Sequence, residues 1–197
     1  MQDIFYQNDL SKIEIQIWTL LQDGLKSSKT PFHTGSVATI NRDIPEQRTV
    51  VLRQVDVEQK ILSFNTDIRA EKIADIQANN NLTWLFYDAV LKLQLRIYTK
   101  AEICQDAELV TTSWQNSRLE SKMSYATQTK SGSFIDTPEP IAINPKDVEP
   151  ALLEFAKSNF CVVQTTAYAM DFVFLNSKGN KRGYFDYLKN TAQWRQV

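Results

Sequence analysis

One histidine, two cysteines, five glycines and six prolines in 197 residues remove several kinds of chemistry before any motif is sought. His33 is the sole imidazole, so a zinc site of the Cys/His type lacks ligands. Any Ser-His-Asp or Cys-His catalytic set would have to use that one residue. Cys104 and Cys161 are too few for a disulfide framework. An excess of one charge is missing as well: 22 basic against 23 acidic residues leave a net charge of -1. That balance gives no global drive toward nucleic acid or an anionic membrane. No apolar run of about 20 residues is long enough to span a bilayer. Met1-Gln2-Asp3 begins no basic-then-apolar signal segment. P-loop and GxGxxG patterns are missing, which removes the common nucleotide-phosphate cradles. The expectation is a cytoplasmic protein with no nucleic-acid and no membrane partner. At 22.7 kDa and 43% hydrophobic residues, the chain can bury about 70% of its unfolded surface. That suits a single domain over residues 1–197.

What is present alternates between two periods. Ile13, Ile17, Leu20, Leu21 and Leu25 recur at helical spacing and predict an N-terminal helix over 9–26, with Ser11 and Glu14 as a capping box. Gly24 and Pro31 end it. From Val37 to Arg42 the period is two, and Pro45 is expected to break the run. Strands are expected at 49–55 and 61–66, joined by a hairpin at Asp56–Gln59. A helix over Arg69–Ala78 follows, with Asp67 as N-cap and Asn79-Asn80-Asn81 as its stop. Two further strands fall at 82–87 and 91–103. Asp106–Tyr125 reads as one helix, and Gln128–Pro140, with Gly132, Pro138 and Pro140, as a loop. Asp147–Lys157 is a fourth helix, with Pro150 in its first turn. The last strands are expected at 160–166, 169–175 and 183–188. About eight strands in consecutive antiparallel order, with four helices, give an α+β class, mainly β, with a barrel or sandwich core.

The residues that carry chemistry have competing readings. His33 is expected to be an ordinary loop histidine, and both cysteines buried, inert thiols. Arg48 and Arg53 stand five apart on one strand, hence on opposite faces. Arg69 and Lys72, three apart at a helix start, oppose the helix dipole unless an anion joins them. They are either solvated cations or a phosphate site. Gln94 sits mid-strand, either solvated or ready to pair with a polar heterocycle. Trp114, Arg118 and Lys122 recur every four residues. That stripe is either a packed and solvated helix face or the wall of an anionic pocket.

Three runs, taken in order, resemble a known family. They are Arg48-Thr49-Val50-Val51-Leu52-Arg53, then Phe64-Asn65-Thr66-Asp67-Ile68-Arg69-Ala70-Glu71-Lys72, then Gln94-Leu95-Arg96-Ile97 through Lys100-Ala101-Glu102. The series resembles the pyridoxamine 5'-phosphate oxidase-like family of FMN-binding split barrels, in the branch with a Thr-Asp-x-Arg-x-x-Lys motif. The resemblance covers residues 32–197. It implies an antiparallel split β-barrel with flanking helices, and a homodimer with FMN at the subunit interface. By that resemblance Arg48 and Lys72 hold the FMN phosphate, with Arg69 adding to them. Val50, Val51 and Leu52 run beside the ring through their backbone, and Arg53 stands where a lysine shared by flavin and substrate is usual. Phe64, Asn65 and Thr66 contact the ring and ribityl chain. Gln94, from the partner chain, bonds the flavin, and Arg182 stands at the pyrimidine edge. Trp114, Arg118 and Lys122 take the place of a Tyr, Arg and Ser that grip the substrate phosphate.

Departures accompany the match. Ala70-Glu71 replaces Ser-Arg, and Lys178-Gly179-Asn180 replaces an Arg-x-His. FMN binding tolerates these changes better than pyridoxine phosphate oxidation does. The expected function is therefore that of an FMN flavoprotein, an oxidoreductase acting on a small-molecule substrate. The alternative is a non-catalytic binder or sensor of flavin or another planar cofactor; haem would have only His33 as an axial ligand.

Overall fold

The structure, a computed structural model, describes residues 3–137 and 148–197. Among them are six α-helices and nine strands in one antiparallel sheet. The helices are α1 (Asp3–Tyr6), α2 (Leu10–Lys26), α3 (Glu71–Ala78), α4 (Ala107–Gln115), α5 (Leu119–Met123) and α6 (Pro150–Asn159), with a 3-10 turn at Pro31–His33. The strands are β1 (Thr34–Asn41), β2 (Ile44–Val51), β3 (Gln54–Asp56), β4 (Ile61–Asp67), β5 (Asn81–Asp88), β6 (Leu93–Ile103), β7 (Phe160–Phe174), β8 (Lys181–Asp186) and β9 (Thr191–Arg195).

The ladder runs β2-β1-β5-β6-β7-β4-β3, and β8 then β9 branch from β7. Its two ends are the two halves of one chain segment, β2 and β3. At the junction the Leu52 amide donates to His33 O (2.9 Å) and the Arg53 amide to Ser63 O (2.8 Å). The segment thus leaves β1 and joins β4 without any ladder forming between β2 and β4. The sheet curls into a barrel that stays open along this seam, a split barrel.

Residue choice explains the curl. β1, β5 and β6 alternate buried and outward residues, so Val37, Leu82, Trp84, Phe86, Leu93, Leu95 and Ile97 fill the interior. Each such side chain contributes roughly 1.5–3 kcal/mol on burial. Helix α2 buries Ile13, Ile17, Trp18 and Leu21 against the barrel. It is fastened there by Trp18 Nε1 donating to the Tyr187 hydroxyl (3.1 Å) and by the Lys60–Glu14 ion pair (3.0 Å). A Cβ on Gly24 would lie 2.5 Å from Phe32 O, so only glycine lets α2 rest on the 3-10 turn. A second small core, with Trp114, Met123, Ala156, Phe160 and Val162, sits under α4–α6.

Several expected boundaries move, each for a local reason. Asp9, not Ser11, caps α2 by accepting the Lys12 amide (3.1 Å). Pro45 lies inside β2, opposite Ile40, because β2 pairs only with β1 and an edge strand needs no amide there. Helix α3 begins at Glu71, and Asp67 instead accepts the Arg69 amide (2.8 Å). The expected helix 106–125 breaks into α4 and α5 around Asn116–Arg118. The expected strands 160–166 and 169–175 are one strand, β7. A register shift opposite Tyr98/Thr99 leaves Tyr168 as the extra, bulged residue. Helix α1 and the wholly exposed β9 carry no periodicity that would reveal them. Residues 128–137 form no helix or strand, as expected. Pro138, Pro140 and Asp147 lie outside the described residues. No helix among the described residues is long and apolar enough to cross a membrane.

Candidate functional site

The seam between β2 and β4 opens into a groove of about 560 Å³. Residues 48–51 and Arg53 form one wall, and Asn65, Thr66 and Asp67 the floor. Ala70 and Lys72 close one end. Glu120, Ser121, Ser124 and Tyr125, around α5, face them.

The groove's electrostatics centre on Lys72. Its Nζ donates to Thr66 Oγ1 at 3.1 Å. No carboxylate among the described residues lies within ion-pair distance of it. Burial and then the neighbouring Arg48 charge push the Lys72 ammonium below the ordinary lysine range, and Cys161, Asp67 and Asp75 only partly offset this. Arg48 is steered from behind. Its Nη1 donates to Thr39 Oγ1 and to Glu46 O (2.8 Å), and its Nη2 lies 3.8 Å from Asp75 Oδ2. Thr39 Oγ1 in turn donates to Asp75 Oδ2 (2.8 Å). Two cations therefore converge on a concave surface, one of them without a counter-ion among the described residues. An oxyanion is the group that completes such a set. Other candidates for chemistry are quiet: burial pushes the Cys161 thiol up to about 12, so it stays protonated and un-nucleophilic. Burial likewise pushes the Tyr125 phenol up to about 12, which keeps it a neutral hydroxyl.

Residues 16–105 match the family model of the pyridoxamine 5'-phosphate oxidase FMN-binding domain. Solved structures share the fold of that family. A pyridoxamine 5'-phosphate oxidase-related, FMN-binding protein from Nostoc punctiforme superposes with a TM-score of 0.68 at 17% identity, covering 92% of this chain and 94% of that one. PhzG from Burkholderia lata, in complex with tetrahydrophenazine-1-carboxylic acid, gives 0.66 at 17% identity over 93% of this chain and 89% of its own. A protein related to general stress protein 26, from Clostridium acetobutylicum, gives 0.57 at 14% identity over 91% and 98%. At such identities the likeness is one of fold. No curated protein matches the sequence significantly.

The segment that matches the family model brings together part of the expected set. Arg48, Val50, Val51, Arg53, Asn65, Thr66 and Lys72 all line the groove. Leu52 and Phe64 do not. Strand alternation and the seam turn both side chains into the core, 1% and 0% exposed, and the Leu52 amide is already bonded. Arg69 also leaves the expected set. It precedes α3 rather than sharing a helix face with Lys72, and it binds Asp67 through Nε (3.0 Å) and Nη2 (2.6 Å). Its Nη1 donates to Thr127 O (2.9 Å), so it pins the chain after α5 and borders a different cavity.

Gln94 and Arg182 lie on the outer face of the sheet, each paired across from Val173, and neither borders the groove. Arg182 donates to Asp171 through Nε (3.1 Å) and Nη2 (2.9 Å). The stripe of Trp114, Arg118 and Lys122 is not formed, because the helix breaks between α4 and α5. Trp114 packs on Phe160 in the second core (centroids 5.3 Å apart). Arg118 is the exposed N-cap of α5. Lys122 donates to Gln115 O (3.3 Å) and lies over the Trp114 ring (5.4 Å). His33 donates from Nδ1 to Gly24 O (2.8 Å), a structural tie between the 3-10 turn and α2.

Sequence reasoning missed Thr39 and Asp75, which hold Arg48, and Ser121, Ser124 and Tyr125, which face Lys72. Only Asp75, a lone acid between Ile73 and Ile76 on the buried side of α3, left a readable signal. A second cavity, about 610 Å³, adjoins the groove and shares Arg53 and Asn65 with it. Helix α4 forms its far wall.

Proposed function

We propose that the groove binds FMN, with the phosphate held by Lys72 and Arg48, and that the protein is a flavin-dependent oxidoreductase. One observation carries this: the half-buried Lys72 ammonium, beside Arg48, has a hydroxyl partner but no carboxylate within ion-pair distance among the described residues. A phosphate dianion removes that electrostatic cost, whereas a neutral ligand would leave it standing. The donor set suits the group. The Thr66 hydroxyl, already bonded to Lys72, adds a neutral partner at the same end. Val50 and Val51 offer a flat β-strand edge along the wall, and Asn65 offers an amide to the middle of the ligand. When bound, FMN supplies the redox chemistry through its ring, and the protein supplies binding, orientation and exclusion of water.

The proposal includes a cytoplasmic homodimer acting on a small molecule. Gln94 and Arg182 lie off the groove of their own chain, and this supports a second copy bringing them to the flavin. The test is a titration of the purified protein with FMN, followed by flavin fluorescence and by sizing of the same mixture. Quenching at one FMN per chain with elution as a dimer is expected. A folded protein that leaves FMN fluorescence unchanged would overturn the reading.

A further inference from the structure

Among the described residues that line the groove, Tyr125 is the one aromatic side chain. The phosphate grip of Lys72 and Arg48 makes no use of it. It stands just past α5, and its ring is fixed from behind by the second core. The ring meets Phe160 edge-on (centroids 5.3 Å apart, planes at 82°) and lies 6.4 Å from Trp114. The backbone is tied as well: the Tyr125 amide donates to Lys122 O (3.1 Å), and its carbonyl accepts from Asn159 Nδ2 (3.0 Å). A phenol anchored by its apolar body presents its hydroxyl to whatever fills the cavity. That hydroxyl has no hydrogen-bond partner among the described residues. Burial pushes the phenol up to about 12, so it is a neutral donor. Of the neighbouring charges, that of Arg53 acts on it most, ahead of Cys161 and Asp67. The hydroxyl thus lies between the Lys72 end of the groove and Arg53, on the Arg53 side.

We propose that Tyr125 is a further cofactor-binding residue, whose hydroxyl donates to the flavin and ribityl part of FMN and not to its phosphate. The inference rests on the groove being the FMN site. A ligand held by its phosphate at Lys72 and Arg48 extends past Asn65 toward Arg53, and so past Tyr125. A neutral donor adds little to a dianion that two cations and the Thr66 hydroxyl already hold. The carbonyl and hydroxyl oxygens of the flavin and ribityl part take a neutral O–H well. Tyr125 and Lys72 therefore read different halves of one ligand.

The test titrates parent and Tyr125→Phe with FMN and with riboflavin, the same molecule without its phosphate. Phenylalanine keeps the ring against Phe160 and Trp114, so the Tm should stay within about 2 °C of the parent's. Parent binding of FMN is measured first; a folded parent that binds none would remove the cofactor reading and this inference with it. Where the parent binds FMN, Tyr125→Phe is expected to weaken FMN and riboflavin by the same factor, about three- to tenfold for one lost hydrogen bond. The loss should be flat from about pH 6 to 9, because the phenol keeps its proton across that range. The absorbance band of bound FMN should shift in the variant, which a packing role alone would not produce. Lys72→Ala should show the reverse selectivity, weakening FMN and leaving riboflavin unchanged. Parent-like FMN affinity in Tyr125→Phe would overturn the inference and leave the cofactor reading standing. So would a loss seen with FMN and absent with riboflavin, which would assign the hydroxyl to the phosphate. So would a parent that holds FMN and binds no riboflavin up to its solubility limit, since the flavin and ribityl part would then add no hold.

Discussion

Two parts of the barrel wall gather arginine and lysine, and they handle the charge in opposite ways. On the outer face of β6–β8 and β9, three guanidiniums surround one aspartate. Arg182 and Arg195 reach Asp171 Oδ2 at 2.9 and 3.0 Å, and Arg96 reaches Oδ1 at 3.2 Å. The Asp171 side chain is fully buried. Burial alone would raise its pKa, but the hydrogen bonds from Arg182, Arg96 and Arg195 hold it below the ordinary carboxylate value. At the seam, Arg48 stands 3.8 Å from Asp75, and among the described residues Lys72 has only a threonine hydroxyl. A cluster of cations is thus no guide to a ligand until its counter-ions are counted. The outer cluster gathers three guanidiniums on one buried acid of its own, with Arg96 Nε buried and without a hydrogen-bond partner among the described residues. The groove is left open to an acid from elsewhere.

The sharpest way to break this contrast is to remove the acid from the closed cluster. Asp171→Asn leaves three guanidiniums facing one another with a neutral amide, and the expected loss is about 2–4 kcal/mol. That range is discounted for the partial exposure of the arginines and corresponds to a Tm roughly 5–15 °C lower. Because the folded pKa of Asp171 is lowered, its contribution is full above the ordinary aspartate value of 3.8 and is lost as pH falls through the lower folded value. The difference in Tm between parent and variant should therefore be flat from pH 5 to 8 and shrink only in stronger acid. A difference that already shrinks at pH 6 would show that Asp171 is not held ionised by these partners.

The complementary change removes the open cation. Lys72→Ala should weaken FMN binding by about 2 kcal/mol, close to thirtyfold, while ligand-free stability stays within about 0.5 kcal/mol. The pH dependence has opposite signs for the two quantities. Lys72 sheds its proton in the native state before an unfolded lysine does at its ordinary value of 10.5. Through that window the ligand-free protein gains stability as pH rises, since the unfolded chain holds the extra proton. FMN affinity falls over the same window, because the phosphate needs the ammonium. Lys72→Arg should abolish the alkaline fall in affinity, as a guanidinium keeps its proton there. An alkaline fall unchanged in that variant would assign the titration to another group.

The contrast also explains how far the chain can be read without coordinates. The class is legible in local patterns of alternation and turn residues, and the seam residues Arg48–Arg53 and Asn65–Lys72 in runs that resemble a known family, whereas the pairings of β1 with β5 and of β4 with β7 are not local. The seam residues are legible because the groove is built mostly from β2–β4 and α3, which lie close together in the chain. Counter-ions are not local. Asp171 meets Arg96 through the pairing of β6 with β7, and Asp75 meets Arg48 across the gap between α3 and β2. Nothing in spacing announces either partner. The same blindness made Trp114, Arg118 and Lys122 look like a stripe, since four-residue spacing assumes one helix. The residues Asn116–Arg118 break that helix without a proline or glycine to mark the place. The Leu52 and Phe64 side chains stay off the groove for a simpler reason. Phe64 sits one residue from a lining position, which in a strand is the other face, and Leu52 lies in the break between β2 and β3, where its side chain turns into the core.

Arg69 is the position where the two behaviours meet, and it gives the smallest and most discriminating effect. By sequence it stands in the same motif as Lys72 and looks like a second phosphate ligand. In the fold it behaves like the outer cluster, closed on Asp67 at 2.6 Å and on the Thr127 carbonyl at 2.9 Å. If its charge is spent there, Arg69→Ala should change FMN affinity by less than threefold. Stability should fall by about 1 kcal/mol, since the buried Asp67 loses its partner and the segment after α5 loses an anchor. Faster proteolytic cleavage around Thr127–Gln128 should accompany that loss. The deciding measurement is the pair of titrations, Arg69→Ala against Lys72→Ala. A tenfold or larger loss at Arg69 would mean that the Asp67 pair opens when the phosphate arrives, and the two cations would then belong to one site.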